Sequence, residues 1–225
     1  MPQGAYRSIV WGNNKTYLYS YDPDVFGKKE LIGNWGFTNV TKNWNWKDAD
    51  QKPVQVAVFS NGDEVELIQN GTSVGKLTSG TRLAAELPHS FLFDLTYLPG
   101  TLEAVSYKDG KEISRDTLVT TGPAKELRLI QEKKELSANG HEVAYVRVEI
   151  VDENGIVVPD AALRLSAAVE GVGSLAAFGS SNPITDENYT SGTFTSYHGT
   201  ATAIIRSGYQ TGICTLTVGC EGLDE

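Results

Sequence analysis

Apolar and polar residues alternate with a period of two along much of this chain, and Asn-Gly, Asp-Gly and Gly-Pro steps interrupt the alternation at short intervals. Successive side chains of a strand point to opposite faces, so the pattern predicts short strands with one dry and one wet face. Val54-Gln-Val-Ala-Val-Phe59 and Val65-Glu-Leu67 are two such segments. The Ser60-Asn-Gly-Asp63 step between them predicts a hairpin, because Asn-Gly supplies the positive φ angles of a tight turn. Further turns are predicted at Asn70-Gly71, before 72–77, and at Lys108-Asp-Gly110, joining 101–107 to 111–119. The first half therefore reads as a meander of short strands. Nowhere does an i, i+3, i+4, i+7 apolar spacing persist beyond about three helical turns.

At Thr120-Thr-Gly-Pro-Ala124 the pattern restarts, and Gly-Pro breaks regular structure as a linker does. Two domains are expected, 1–123 and 124–225. The second gives strands at 125–130 and 143–151, the latter with Val146, Val148 and Ile150 on one face. Asp152-Glu-Asn-Gly155 turns it back to 156–158, and 163–169, 174–178, 199–207 and 212–220 continue the series. About seven strands at roughly ten-residue spacing is the signature of an immunoglobulin-like sandwich. The expected fold class is all-β, two immunoglobulin-like β-sandwich domains in tandem. The first 50 residues are less regular and rich in aromatics, with Tyr17-Leu-Tyr-Ser-Tyr21, Trp35-Gly-Phe37 and Trp44-Asn-Trp46. They are expected to wrap one sandwich or to lean on a neighbouring domain.

Length supports the division, since 225 residues suit two cores of about a hundred residues each. A formal charge of −9, from 28 acidic and 19 basic residues without a Lys/Arg cluster, repels phosphate and excludes nucleic acid and anionic membranes as expected partners. No apolar run approaches the ~20 residues of a membrane span, and Met1 to Ser8 lack the layout of a secretion signal. The chain starts abruptly, as a segment cut from a longer polypeptide would. Cys214 and Cys220 fall in one predicted strand, which would hold them about 20 Å apart, so buried free thiols are expected.

Nucleophile-elbow, phosphate-loop, dinucleotide and zinc patterns are absent, so neither a metal nor a cofactor is expected. His89, His141 and His198 have no Cys or His at ligand spacing. Glu64 and Glu66 share one strand face ~7 Å apart, near the spacing of paired acid/base carboxylates. The alternating Val65 and Leu67 already explain them as the wet face of a strand, and that reading prevails. Asp152-Glu-Asn-Gly155 resembles a fragment of a calcium loop but lacks the downstream bidentate acid, and a turn suffices. Trp44 and Trp46 project to one face of an extended segment and, with Trp35, are the candidates for carbohydrate contact, because flat indoles stack on the C–H face of a sugar ring; the competing account is that one of the pair anchors the sandwich core and the other packs between domains.

The residues of the first half also carry a family resemblance. Trp44-Asn-Trp46, then Val54-Gln-Val-Ala-Val-Phe-Ser-Asn61, Glu64-Val-Glu-Leu67, Asn70-Gly71 and Val74-Gly75 resemble the domain that follows the catalytic barrel in glycoside hydrolase family 2 β-galactosidases. Pro99-Gly-Thr-Leu-Glu-Ala-Val105 and Thr120-Thr-Gly-Pro123 extend the match. In the second half Leu136-Ser-Ala-Asn-Gly140, Ala144-Tyr-Val-Arg-Val148 and Val151-Asp-Glu-Asn-Gly155 resemble the further C-terminal domain of those enzymes. Where that domain shows G-N-G-D-P, this chain has Gly179-Ser-Ser-Asn-Pro183, so no role of that loop's acid carries over. The family's catalytic glutamates lie on a (β/α)₈ barrel, the acid/base directly after an Asn, and this chain has no Asn-Glu step. No catalytic residue is therefore assigned. The resemblance implies a retaining β-galactosidase-like parent whose catalytic and N-terminal domains are the partners of these two, with oligosaccharide and a second copy of the parent as further candidates. Other expectations are an autonomous carbohydrate-binding module and a bacterial adhesion module, the latter weakened by the lack of any repeat between the two halves.

Overall fold

The alternating segments become strands throughout the residues described by the structure, a computed structural model covering 1–33, 36–78 and 87–223. The chain divides between Thr120 and Thr121 into two units, each with its own core.

In the first unit, β1 (Tyr17–Ser20), β2 (Pro53–Phe59) and β5 (Ser90–Thr96) form one antiparallel sheet in the order β1-β2-β5. The strands β3 (Glu64–Gln69), β4 (Thr72–Thr78), β6 (Thr101–Lys108) and β7 (Lys111–Val119) form the other, in the order β4-β3-β6-β7. Val54, Val56 and Val58 from the first sheet meet Val65, Leu67, Leu102, Ala104 and Leu118 from the second, with Phe91 and Phe93 between them. Each of the valines, leucines and phenylalanines contributes about 1.5–3 kcal/mol by leaving water. This is an immunoglobulin-like sandwich rather than a single meander.

Two of the three predicted turns are hairpins of the expected type. Asn70 and Gly71 have φ of 49° and 78°, and Asp109 and Gly110 have 50° and 73°, the paired left-handed residues of a type I′ turn. The Asn61-Gly62 step is not a hairpin, and this corrects the expectation. Neither residue has a positive φ, β2 pairs with β1 and β5, and β3 pairs with β4 and β6. The step is the corner at which the chain crosses between sheets. Gly62 serves there by its size, since a β-carbon would lie 2.7 Å from the Tyr107 carbonyl oxygen. Asn61 anchors the corner by donating from its amide to the carbonyls of Ile9 (2.8 Å) and Asn13 (2.9 Å).

The outer face of β1-β2-β5 is covered as well. A helix, α1 (Pro2–Val10), places Ala5, Tyr6 and Ile9 against Tyr19, Ala57 and Phe59, and Phe37 and Val40 join them. Tyr6, Tyr19, Phe37 and Phe59 pack ring on ring at centroid distances of 5.5–5.9 Å. The helix starts on Pro2, whose missing N–H is harmless in a first turn. It stops at Gly12, whose φ of 92° lets its N–H bond Ile9 O and that of Asn13 bond Ser8 O. The aromatic first segment thus wraps the first sandwich.

The second unit repeats the architecture without repeating the sequence. The strands β8 (Glu126–Gln131), β9 (Val143–Val151), β11 (Gly173–Gly179) and β13 (Thr200–Ser207) lie in the order β11-β13-β9-β8. Against them lie β10 (Arg164–Gly171), β12 (Thr193–Thr195) and β14 (Cys214–Cys220), in the order β12-β10-β14. Val146, Val148 and Ile150 face inward as predicted, in one core with Phe178 and Ile205 of their own sheet and Leu165 and Phe194 of the other. Asp152 begins the predicted turn, and its Oδ1 accepts from the N–H groups of Asn154 and Ile156.

Candidate functional site

The predicted site residues are not brought together. Trp44 is 1 % exposed, lies edge-on to Tyr97 at 4.8 Å, and donates its indole N–H to the Leu98 carbonyl at 3.2 Å. Its own carbonyl accepts from the hydroxyls of Tyr97 and Thr120, both at 2.9 Å. This ring is a core anchor with no face left for a sugar, so for Trp44 the sugar-contact reading gives way to the packing one. Trp46 is half-buried against the same core, and its indole nitrogen is buried with no hydrogen-bond partner among the described residues. Trp35 lies outside the described residues.

Glu64 and Glu66 do share a strand face, and a cation sits between them. Lys76, opposite Glu66 on β4, has its Nζ 3.1 Å from Glu64 Oε1 and 3.4 Å from Glu66 Oε2, and lies over the Tyr107 ring at 4.9 Å. The Tyr107 hydroxyl donates to Glu66 at 3.2 Å. A hydrogen bond from Ser73, followed by the contact with Lys76, holds the Glu66 carboxyl below the usual carboxylate range. A general acid needs the opposite, a carboxyl whose proton is retained near neutral pH. The cluster is an ion-paired wet face.

Among the described residues no group of His, Cys, Asp and Glu is arranged to hold a metal ion. Both cysteines are free, as expected, but half-buried rather than buried, because they end β14 instead of lying within it. His89 and His198 sit at turns with φ of 62° and 50°.

A different indole is presented to solvent. Trp11, just past the last turn of α1, is 81 % exposed, and Val10 beside it is half-exposed. The helix period explains this: once Ala5, Tyr6 and Ile9 face the sheet, position 11 must face away. The signal was present as an indole between an apolar run and the helix-stopping Gly12. A helix of nine residues is too short for its apolar period to stand out in the sequence.

Comparison with known proteins gives these two sandwiches a context. Residues 127–225 match the family described as glycoside hydrolase family 2 C-terminal domain 5, and residues 51–114 match a domain of unknown function, DUF4982. The chain is 28 % identical to the beta-galactosidase BoGH2A of Bacteroides ovatus over 223 residues, covering 98 % of this chain and 25 % of that protein. It is 30 % identical over 182 residues to a beta-galactosidase of Thermoanaerobacter pseudethanolicus, covering 76 % of this chain and 23 % of the relative. A crystal structure of a glycosyl hydrolase family 2 member from Bacteroides cellulosilyticus superposes with a TM-score of 0.87 at 27 % identity, covering all of this chain and 29 % of that one. The chain thus spans about a quarter of the length of the relatives it matches.

Proposed function

This chain consists of C-terminal accessory domains of glycoside hydrolase family 2, β-galactosidase-like, and on that footing we propose that it braces the catalytic barrel of a larger parent enzyme. We take the first sandwich, with its aromatic N-terminal segment, as the domain next to the barrel and the second as the further C-terminal domain. Two of the relatives bear the name beta-galactosidase, which supports a parent that hydrolyses terminal β-linked galactose. The family resemblance supports retention of configuration.

The observation that carries the bracing role is Trp11. An indole so exposed costs the isolated unit apolar hydration, and exposed aromatics of this kind are where protein interfaces concentrate their binding energy. The opposite face of its helix is locked to the sandwich by Tyr6 and Ile9, so the ring is offered from a rigid support. Trp11→Asp in the full-length parent is expected to lower the unfolding temperature of the barrel and its activity on a chromogenic galactoside. The same change in the isolated chain leaves that chain's own unfolding temperature within a degree or so, because the side chain contacts little within the unit. Unaltered melting of the full-length variant rules out docking through this ring, and a shift in the parent's mass on size exclusion assigns the ring to a contact between copies instead.

A further inference from the structure

One end of the second unit holds a cleft of about 470 Å³. It forms where the loop between β8 and β9, the Gly171-Val-Gly173 turn between β10 and β11, and the loop between β13 and β14 converge. Backbone hydrogen bonds tie the three together: Gly140 N–H to Gly208 O (3.1 Å), Ser207 N–H to Glu142 O (2.9 Å) and Val172 N–H to Ile213 O (3.2 Å). Glycines let the walls approach so closely. A β-carbon on Gly173 would lie 2.6 Å from Cys214 Sγ, and one on Gly212 would lie 2.8 Å from Val172 Cγ1. The cleft is therefore preformed, as small-molecule sites usually are.

Its charges set it apart from the surface around it. Residues 121–225 carry 14 acidic and 7 basic side chains. Four of those cations, Arg128, Lys133, Arg147 and Arg164, each hold a carboxylate. Lys125, Lys134 and Arg206 hold none among the described residues, and two of these three, Lys134 and Arg206, line the cleft. The single acidic side chain on the wall is Glu135. Both side chains are exposed, so their charges stand in water at the cleft, uncancelled by a carboxylate and available to an incoming anion. Tyr209 is not on the cleft wall itself but is the chain neighbour of two residues that are, Gly208 and Gln210, and it is 78 % exposed. The phenol end of its ring rests on Gly140, where any side chain would collide with it. On the wall, Arg206 carries a fork-shaped guanidinium suited to a bidentate anion contact and Gln210 an amide suited to a hydroxyl, and next to them in the chain the Tyr209 ring is an exposed flat apolar plate.

We propose that this cleft binds an anionic pyranose, a uronate or a sulfated sugar, with Arg206 and Lys134 on its acidic group and Tyr209 stacked on its C–H face. The site lies wholly within the second unit and uses no residue of the Trp11 surface, so neither reading depends on the other. The test is calorimetric titration of the full 225-residue chain with a galacturonate tetrasaccharide, a chondroitin sulfate tetrasaccharide and a neutral galactotetraose. At least one acidic sugar is expected to bind, and the arm that does so identifies the anionic group. Arg206→Gln and Tyr209→Ala should each weaken it about tenfold, and Lys125→Gln, which removes the unpaired cation outside the cleft, should leave it unchanged. Silence with both acidic sugars overturns the proposal. So does equal affinity for galactotetraose, or a loss in Lys125→Gln as large as that in Arg206→Gln, which would mean diffuse attraction to the unit's cations.

Discussion

Asp152 shows how much one side chain can hold. It is 1 % exposed, and its carboxylate accepts from the N–H groups of Ile156 and Asn154 in its own turn and of Gly122, 30 residues earlier. Those donors, Ile156 foremost, keep the carboxyl below its ordinary range. A group depressed on folding stabilises the fold above its unfolded pKa, about 3.9, and that contribution is lost as pH falls through the folded value. Asp152→Asn, which keeps one acceptor oxygen without the charge, is expected to cost about 2 kcal/mol at pH 7 by urea denaturation. The gap should narrow below pH ~4 as the wild-type carboxyl takes up its proton, and a gap constant from pH 7 to 3 would show that charge is not its source. The sequence made the turn legible because Asp-x-x-Gly is a local signal. The bond to Gly122 was not legible, since nothing local announces it. Trp44 teaches the same lesson: its two-residue spacing from Trp46 suggested a shared exposed face, but its surroundings are made by Tyr97, Leu98 and Thr120.

At the scale of elements, two glycines that look alike in sequence do different work. Gly71 sits at φ 78° with open space where a β-carbon would go, so its requirement is conformational. Gly62 has no positive φ, and the Tyr107 carbonyl blocks its β-carbon position. Gly71→Ala is expected to cost about 1 kcal/mol of unfolding free energy, the usual penalty for a left-handed alanine. Gly62→Ala should cost about 2–3 kcal/mol, because backbone must move to admit the methyl group. Equal penalties in chemical denaturation would refute the corner geometry. Asn-Gly predicts the hairpin at 70–71 and mispredicts one at 61–62 for one reason: the dipeptide reports that a turn is present, not which strands flank it. β1, β5 and β12 went unread for a related reason. Tyr17–Ser20 and Thr193–Thr195 are too short for alternation to show, and Ser90–Thr96 mixes inner and outer apolar residues.

Across the whole molecule, the two-sandwich plan was the most legible feature, because every long strand with one dry face contributes to the same inference. The covered outer face of the first sandwich was the least legible. β2 is buried on both sides, with Val56 and Val58 toward the core and Ala57 and Phe59 beneath α1, so its apolar run blurs the alternation that identifies a half-wet strand. That second burial has a practical meaning for protein engineering. A shortened version beginning at Asn14 would keep all the strands and the core, yet would uncover Tyr19, Ala57 and Phe59 as a contiguous sticky plate. Sedimentation velocity at micromolar concentration should show the shortened version self-associating and the longer one not, and equal behaviour would mean that the plate closes over by itself. For anyone carving this unit out of a longer polypeptide, the safe cut falls before Pro2 and not at the first strand.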